Sequence, residues 1–204
     1  MPDHSTPLLE EDLDDDPLRQ FGSWFAQAGA AGVREPQAAA LATADADGAP
    51  SVRMVLVKSF DERGFVFFTD YSSRKGRELE LNPRAALLFH WDPLGRQVRI
   101  EGGVERTSAD ATAAYVRSRP RSSQLSALAS PQSRTIEGRH ELERRVADLR
   151  ERYGDHDPPL PDGWGGFRLT PDSFEFWQQR EDRLHDRLRY RRTGGSWAID
   201  RLAP

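Results

Sequence analysis

The spacing of apolar side chains divides the chain into an N-terminal helix, a series of strands and a later group of helices. From position 38 onward, short runs in which apolar and polar residues tend to alternate indicate half-buried strands. Residues typical of turns separate these runs. Strands are predicted over residues 38–45, 51–60, 65–70, 84–91, 96–106, 167–169, 173–177 and 196–202.

Helical periodicity comes before these strands and returns between them. Asp16 and Pro17 are typical of an N-cap and the first position of a helix. An apolar face follows them and ends near residue 32; it consists of Leu18, Phe21, Trp24 and Phe25. Further helices are predicted at about 72–83, 111–119, 122–130 and 136–153.

The order of these elements indicates the fold class. Short turns join the strands, and most helices come late, which favours an antiparallel barrel with peripheral helices over a doubly wound sheet. We therefore expect a mainly β protein of the α+β class, with one domain over residues 17–204. Residues 1–16 are acidic and poor in large apolar side chains, so we expect a mobile tail there.

Composition excludes several classes of function. The formal net charge is −4, whereas nucleic-acid binding by the whole surface needs a basic surplus. No cysteine is present, which excludes disulfides, thiolate metal sites and a cysteine nucleophile. The histidines show no metal-ligand spacing, so no metal is expected. Without a membrane-length apolar run or a signal-peptide pattern, we expect a soluble cytoplasmic protein.

Residues 72–76, S-S-R-K-G, form the first candidate anion site. Arg74 and Lys75 fall in the first turn of a predicted helix, where the helix dipole disfavours cations. A bound anion would explain them, because free N–H groups at a helix start also attract phosphate. A solvated helix start is the alternative.

Two more clusters point to phosphate. Arg53 and Lys58 interrupt an apolar strand at an odd separation, so they face opposite sides and could serve two anionic sites. An edge strand with charged positions is the alternative. Tyr115 and Arg119 share a helix face just before a second helix begins at 122–123, which would form a phosphate cradle or an ordinary capped corner. Two phosphate-bearing small molecules would fit these clusters.

The basic stretch R-E-D-R-L-H-D-R-L-R-Y-R lies near the C-terminus. In a strand, Arg183, His185 and Arg187 would share one face, with Leu184 and Leu188 on the other. In a helix, a different set of arginines would share a face. The stretch alone is compatible with a solvated surface, a nucleic-acid stripe or one wall of an active site.

An ordered set of short motifs runs from about residue 16 to the end of the chain. The motifs are R-M-V-L-V-K, F-F-T, S-S-R-K, N-P-R-A-A-L-L-F-H-W, R-Q-V, Y-V-R-S-R-P-R-S-S-Q, A-S-P-Q-S, W-G-G-F-R, E-F-W-Q, R-L-H-D-R and I-D-R-L-A-P. Together they resemble the pyridoxine/pyridoxamine 5′-phosphate oxidase family. The resemblance implies an FMN-binding split β-barrel of antiparallel Greek-key type, working as a homodimer. It implies that O2 oxidises pyridoxine 5′-phosphate or pyridoxamine 5′-phosphate to pyridoxal 5′-phosphate, with release of H2O2.

The resemblance also assigns site residues. It implies FMN contacts at Arg53, Met54, Val55, Leu56, Val57, Phe68, Thr69, Arg74, Lys75, Gln97, Gln132, Ser133, Trp177 and Arg187. It implies that the substrate phosphate meets Lys58, Tyr115, Arg119 and Ser123. Arg183 and His185 would be the catalytic pair over the pyridine ring, with the choice of base left open. Gln179 and Arg180 replace two glycines usual in the family, so the turn before Arg183 is expected to differ.

Two other functions compete with this interpretation. The first is an oxidase of the phenazine-biosynthesis branch, for which a substrate without phosphate would leave the phosphate-binding cations unpaired. The second is a non-enzymatic FMN- or pyridoxal-phosphate-binding protein, against which Arg183 and His185 argue. Alternation favours a strand for the basic stretch, with these two residues and Arg187 on one face. The resemblance implies that Arg183 and His185 face the substrate and that Arg187 faces the flavin.

Overall fold

Eight antiparallel strands form one continuous sheet in this computed structural model, which describes residues 6–204. The strands are β1 (Ala38–Ala44), β2 (Pro50–Asp61), β3 (Gly64–Asp70), β4 (Arg84–Trp91), β5 (Arg96–Arg106), β6 (Trp164–Gln178), β7 (Asp186–Thr193) and β8 (Ser196–Arg201). The α-helices are α1 (Pro17–Ala30), α2 (Arg74–Leu81), α3 (Ala109–Ser118), α4 (Arg121–Ala129) and α5 (Arg139–Tyr153). Within the described chain, no helix has the length and apolar character needed to cross a membrane.

The sheet closes into a barrel through a pairing between β3 and β6. The strand order is β3-β2-β1-β4-β5-β6-β7-β8, and β3 pairs with β6 as well as with β2. Six strands therefore form the closed part, and β7 and β8 continue the sheet beyond β6. This arrangement confirms the predicted antiparallel barrel with peripheral helices.

Strand β6 is one strand of 15 residues where the sequence predicts two shorter ones. Pro171 lies inside it, and proline cannot donate a hydrogen bond to a neighbouring strand. The register with β5 shifts beside Pro171, so the missing donor falls at a bulge opposite Gly102. A Cβ at Gly102 would lie 2.0 Å from the carbonyl oxygen of Thr170, so this close approach of two strands requires glycine.

Helix α1 packs its apolar face against the barrel core. Asp16 caps the helix as predicted, because its carboxylate accepts a backbone N–H of the first turn at 2.9 Å. Phe21 is fully buried, and its ring centroid lies 4.9 Å from those of Phe60, Phe65 and Phe89. All three contacts are edge-on, an arrangement that aromatic rings prefer. Phe21 thus connects the helix to three strands of the barrel.

The N-terminal segment, residues 6–16, packs against the sheet, which corrects the expectation of a mobile tail for this part of the chain. Leu8 and Leu13 are only 7% and 9% exposed. Glu10 pairs with Arg201 of β8 at 2.8 Å. Burial of the two leucines and the ion pair with Arg201 attach this segment to the sheet, although its acidic composition alone suggests mobility. The first five residues of the predicted tail lie outside the described residues.

Replacing Phe21 with alanine should lower the free energy of unfolding by about 3–5 kcal/mol, because a cavity replaces a buried ring. Urea unfolding followed by tryptophan fluorescence measures this change. Leu81→Ala is the control, since Leu81 is 67% exposed and its loss should change the free energy by less than about 0.5 kcal/mol. Equal losses in the two variants would contradict the packing role of Phe21.

Candidate functional site

The first cluster surrounds Lys75 at the beginning of α2. Ser73 caps this helix, and its hydroxyl oxygen accepts a backbone N–H of the first turn at 3.3 Å. The ammonium of Lys75 donates to Gln132 Oε1 at 2.6 Å and to Thr69 Oγ1 at 3.1 Å. Burial, followed by the nearby charge of Arg53, lowers the pKa of Lys75 to about 8. Both acceptors are uncharged oxygens, so these hydrogen bonds do not neutralise the positive charge of the ammonium. That charge remains available to attract an anion.

This cluster joins three segments that are far apart in the sequence. Thr69 lies next to the last residue of β3, Lys75 lies in the first turn of α2, and Gln132 follows α4. The resemblance assigned all three to one cofactor, and the fold brings them together. Ser133, assigned to the same cofactor, is exposed and has a left-handed φ of 68°.

Glu78 pairs with two of the arginines that were predicted to contact the cofactor. This glutamate was not identified from the sequence. Its carboxylate accepts Arg53 Nη2 at 3.1 Å and Arg74 Nε at 2.7 Å. Ser51 and Thr43 donate to it at 2.6 and 2.5 Å. Burial raises the pKa of Glu78, but these hydrogen bonds outweigh burial and lower it to about 2. The i, i+4 spacing from Arg74 is the one sequence signal that points to this pair.

The second cluster lies between β2, β3 and α3. Tyr115 stacks on Phe68 with 3.8 Å between ring centroids, and Lys58 Nζ lies 5.9 Å from the Tyr115 centroid. The guanidinium of Arg119 lies 4.8 Å from the ring centroid of Trp164. Among the described residues, Arg119 Nη1 is buried and has no hydrogen-bond partner. Within the described chain this nitrogen therefore retains an unused donor, a group that an anion can accept from.

A cavity of about 480 Å³ opens beside this cluster and is lined by Lys58, Phe68 and Tyr115, among others. Burial raises the pKa of Tyr115, against the opposing charge of Arg119, so its hydroxyl is a neutral donor at physiological pH. Ser123 lies in the first turn of α4, which begins at Arg121 rather than at a serine. The structure thus brings Lys58 and Arg119 to the ring of Tyr115, three of the four residues predicted for the substrate phosphate.

The third cluster lies across β5, β6 and β7. Gln97, Trp177, His185 and Arg187 line a cavity of about 340 Å³. Arg187 Nε pairs with the buried Glu175 at 2.8 Å, which raises the pKa of the arginine. Arg187, which was predicted to contact the flavin, is therefore already paired with a carboxylate. The sequence did not indicate this partner.

The basic stretch before β7 differs from its prediction. A 3₁₀ turn covers Glu181–Arg183, and β7 begins only at Asp186. Asp182 and Arg183 have left-handed φ values of 53° and 60°, which interrupt any strand. Leu184, predicted to be an anchor, is 70% exposed, whereas Leu188 is fully buried. Continuous alternation through this stretch was therefore the wrong interpretation.

Arg53 and Lys58 contact different elements, as their odd separation on β2 predicts. Arg53 reaches Glu78 of α2, and Lys58 lies beside Tyr115 of α3. The intervening cofactor candidates differ in burial: Met54 is exposed, Val55 and Leu56 are half-buried, and Val57 is buried.

The fold defines a split-barrel protein in which cationic side chains form separate clusters. A family model described as pyridoxamine 5′-phosphate oxidase matches residues 25–153. A second, described as the pyridoxine 5′-phosphate oxidase C-terminal dimerisation region, matches residues 164–204. The chain belongs to the pyridoxine/pyridoxamine 5′-phosphate oxidase family, and it is an oxidoreductase.

Relatives match along nearly the whole chain. The pyridoxine/pyridoxamine 5′-phosphate oxidase of Bordetella petrii is 58% identical over 97% of this chain and 93% of that protein. The enzyme of the same name from Rubrobacter xylanophilus is 56% identical over 97% of this chain and 91% of that protein. PhzG from Burkholderia lata, solved with tetrahydrophenazine-1-carboxylic acid, is similar with a TM-score of 0.91 and 36% identity; the match covers 98% of this chain and 100% of PhzG.

Glu78→Gln should lower the free energy of unfolding at neutral pH by about 3 kcal/mol, because it removes a carboxylate whose pKa is lowered from 4.5 to about 2. The lowered pKa means that this stabilisation is present above about 4.5 and is lost as the pH falls towards about 2. Urea unfolding at several pH values should therefore show the gap between variant and wild type narrowing in acid. Glu80→Gln is the control on the same helix, since Glu80 is exposed. A gap independent of pH would refute the role of the Glu78 charge.

Proposed function

We propose that this protein is an FMN-dependent oxidase that converts pyridoxine 5′-phosphate and pyridoxamine 5′-phosphate to pyridoxal 5′-phosphate. Molecular oxygen is the electron acceptor, and hydrogen peroxide is the product. One observation carries the proposal: two separate clusters hold cationic groups whose described hydrogen bonds reach no carboxylate, the half-buried ammonium of Lys75 and the buried Nη1 of Arg119. Two such sites suit two phosphate-bearing molecules, a cofactor and a substrate.

The first cluster fits the phosphate of FMN. A phosphate monoester carries close to two negative charges at neutral pH, and Lys75 offers an ammonium bonded to neutral oxygens. Arg74 and the N–H groups at the start of α2 would add further donors. Arg53, fixed by Glu78, would contact the rest of the cofactor. Bound FMN would supply the two-electron acceptor that no amino-acid side chain provides.

The second cluster fits the phosphate of the substrate. Arg119 presents a buried nitrogen with an open donor, and Lys58 adds a mobile ammonium. Tyr115 and Ser123 would contribute neutral hydroxyl donors. A ligand held at its phosphate by several donors keeps its ring in one orientation, and orientation of the reacting carbon is a main source of rate enhancement. Arg183 and His185 would contact the ring side of the substrate as the catalytic pair.

A homodimer would bring the third cluster of one subunit to the first two clusters of the other. Apolar residues form a row across three neighbouring strands. In this row Ala40 of β1 lies between Met54 of β2 and Leu88 of β4, with which it is paired. Met54 is 65% exposed and Val52 is 68% exposed. Such an apolar surface suits a protein interface, and the C-terminal part of the chain matches a region described as dimerising.

The decisive experiment measures pyridoxal 5′-phosphate formation by the purified protein. We expect a yellow protein with flavin absorbance, product formation from both phosphate substrates in air, and little turnover after oxygen is removed. A colourless protein that does not bind added FMN would refute the proposal. An oxidase for phenazine precursors is the second candidate, suggested by the likeness to PhzG. Turnover of a reduced phenazine carboxylate, without turnover of pyridoxamine 5′-phosphate, would establish this alternative.

FMN affinity should fall as the pH rises through about 8, because Lys75 loses its proton there and must regain it to bind phosphate. Fluorescence titration of the apoprotein with FMN from pH 7 to 9 measures this dependence, in a range where the phosphate is already a dianion. Lys75→Met should weaken binding about 10- to 100-fold at pH 7 and remove the dependence on pH. Lys75→Arg is the control that keeps a permanent charge. An unchanged slope in Lys75→Met would assign the titration to another group.

A further inference from the structure

The loop between β6 and β7, residues 179–185, carries the candidate catalytic pair in an unfavourable backbone conformation. Asp182 and Arg183 are consecutive non-glycine residues with left-handed φ values of 53° and 60°. Residues with a Cβ adopt this region at a cost in free energy, so surrounding contacts must impose it. The loop therefore depends on the groups that hold its two ends.

Asp186 holds the C-terminal end of this loop. Asp186 is only 8% exposed. Its carboxylate accepts hydrogen bonds from one backbone N–H and from one arginine. Oδ2 accepts the N–H of Leu8 at 3.0 Å, and Oδ1 accepts Arg201 Nη1 at 2.9 Å. Arg180 Nε lies 3.5 Å from Oδ2. One carboxylate thus joins the N-terminal segment, β8 and the loop.

A backbone hydrogen bond across the loop determines the proton position on His185. The N–H of Arg180 donates to His185 Nδ1 at 3.1 Å. An N–H group can donate only to a nitrogen with a free lone pair, so Nδ1 carries no proton. In a neutral imidazole the proton then lies on Nε2, whereas in a charged imidazole both nitrogens would be donors and this bond would be lost.

We propose that His185 is held as the neutral tautomer protonated at Nε2, and that Asp186 is the positioning residue that maintains this arrangement. His185 then donates a hydrogen bond from Nε2 to the substrate and does not take a proton from it at that atom. The tautomer is a property of the folded protein. Its role towards a substrate rests on the proposed oxidase function.

The tautomer can be observed without turnover. Long-range ¹H–¹⁵N correlation spectra of the FMN-loaded protein, labelled in its histidine rings, distinguish protonated from unprotonated ring nitrogens. The His185→Gln variant identifies the signal that belongs to His185. We expect Nε2 to be protonated and Nδ1 to be bare at neutral pH. A proton on Nδ1, alone or with one on Nε2, would overturn the proposal.

Asp186→Asn tests the positioning role. Asparagine has one acceptor oxygen and an NH2 donor, so it cannot accept from Leu8 and Arg201 together. We expect kcat for pyridoxamine 5′-phosphate to fall on the order of 10- to 100-fold, with FMN still bound and with the His185 signal shifted towards a mixture of tautomers. If Asp186→Asn does not fold, Arg201→Gln removes one of the same donors and provides the same readout. An unchanged His185 signal in the folded variant would overturn the role of Asp186.

A control variant separates this role from general effects. Asp200→Asn removes another carboxylate that pairs with two arginines, on the adjacent strand β8, and should leave the His185 signal and kcat unchanged. Equal changes in Asp200→Asn and Asp186→Asn would show that the effect is not specific to Asp186. A protein with the expected tautomer but no pyridoxal 5′-phosphate formation would refute the oxidase function alone.

Discussion

The length and register of β6 determine where the clusters lie. This strand of 15 residues pairs with β3 through its first part, with β5 over most of its length and with β7 through its last part. The first part sets Gly166 opposite Phe68, and a Cβ at this glycine would lie 2.8 Å from the ring that stacks in the second cluster. The last part sets Trp177 between Gln97 and Arg187. Closure of the barrel and the shape of two clusters therefore depend on one strand register.

The cations of the clusters differ in how they are balanced. Of 29 lysine and arginine residues, only Lys58 and Lys75 are lysines. Arginines in the first and third clusters are held by Glu78 and Glu175, which fixes their geometry and offsets much of their charge. In these clusters, the positive charge not paired with a carboxylate in the described hydrogen bonds is on the lysines and on Arg119. In the proposed sites, the fixed arginines would supply directed donors without reorganisation, and the lysines would supply the charge that responds to an anion.

Local patterns predicted the fold well because strands and caps are short-range features. The alternation in β1 and the cap at Asp16 depend on neighbouring residues, and both are present in the structure. The resemblance supplied the candidate ligands, but not the carboxylates that orient them. Glu175 meets Arg187 across strands, so only register reveals that pair. The loop before β7 escaped prediction for a different reason: Asp182 and Arg183 adopt a left-handed conformation, whereas the sequence continues a strand-like alternation.

Arg180, one of the two residues that stand where the resemblance implies glycine, does not need the backbone freedom of glycine. Arg180 has φ −131° and ψ 160°, an extended conformation open to any residue, so glycine is not needed there for the backbone bond to His185. The strain falls two and three residues later, at Asp182 and Arg183. The side chain of Arg180 adds something that glycine lacks, since its guanidinium approaches Asp186, which also binds the N-terminal segment. The acidic N-terminal segment and this arginine thus form one connected contact around the loop, so the composition that suggested a mobile tail instead helps to order the candidate catalytic residues.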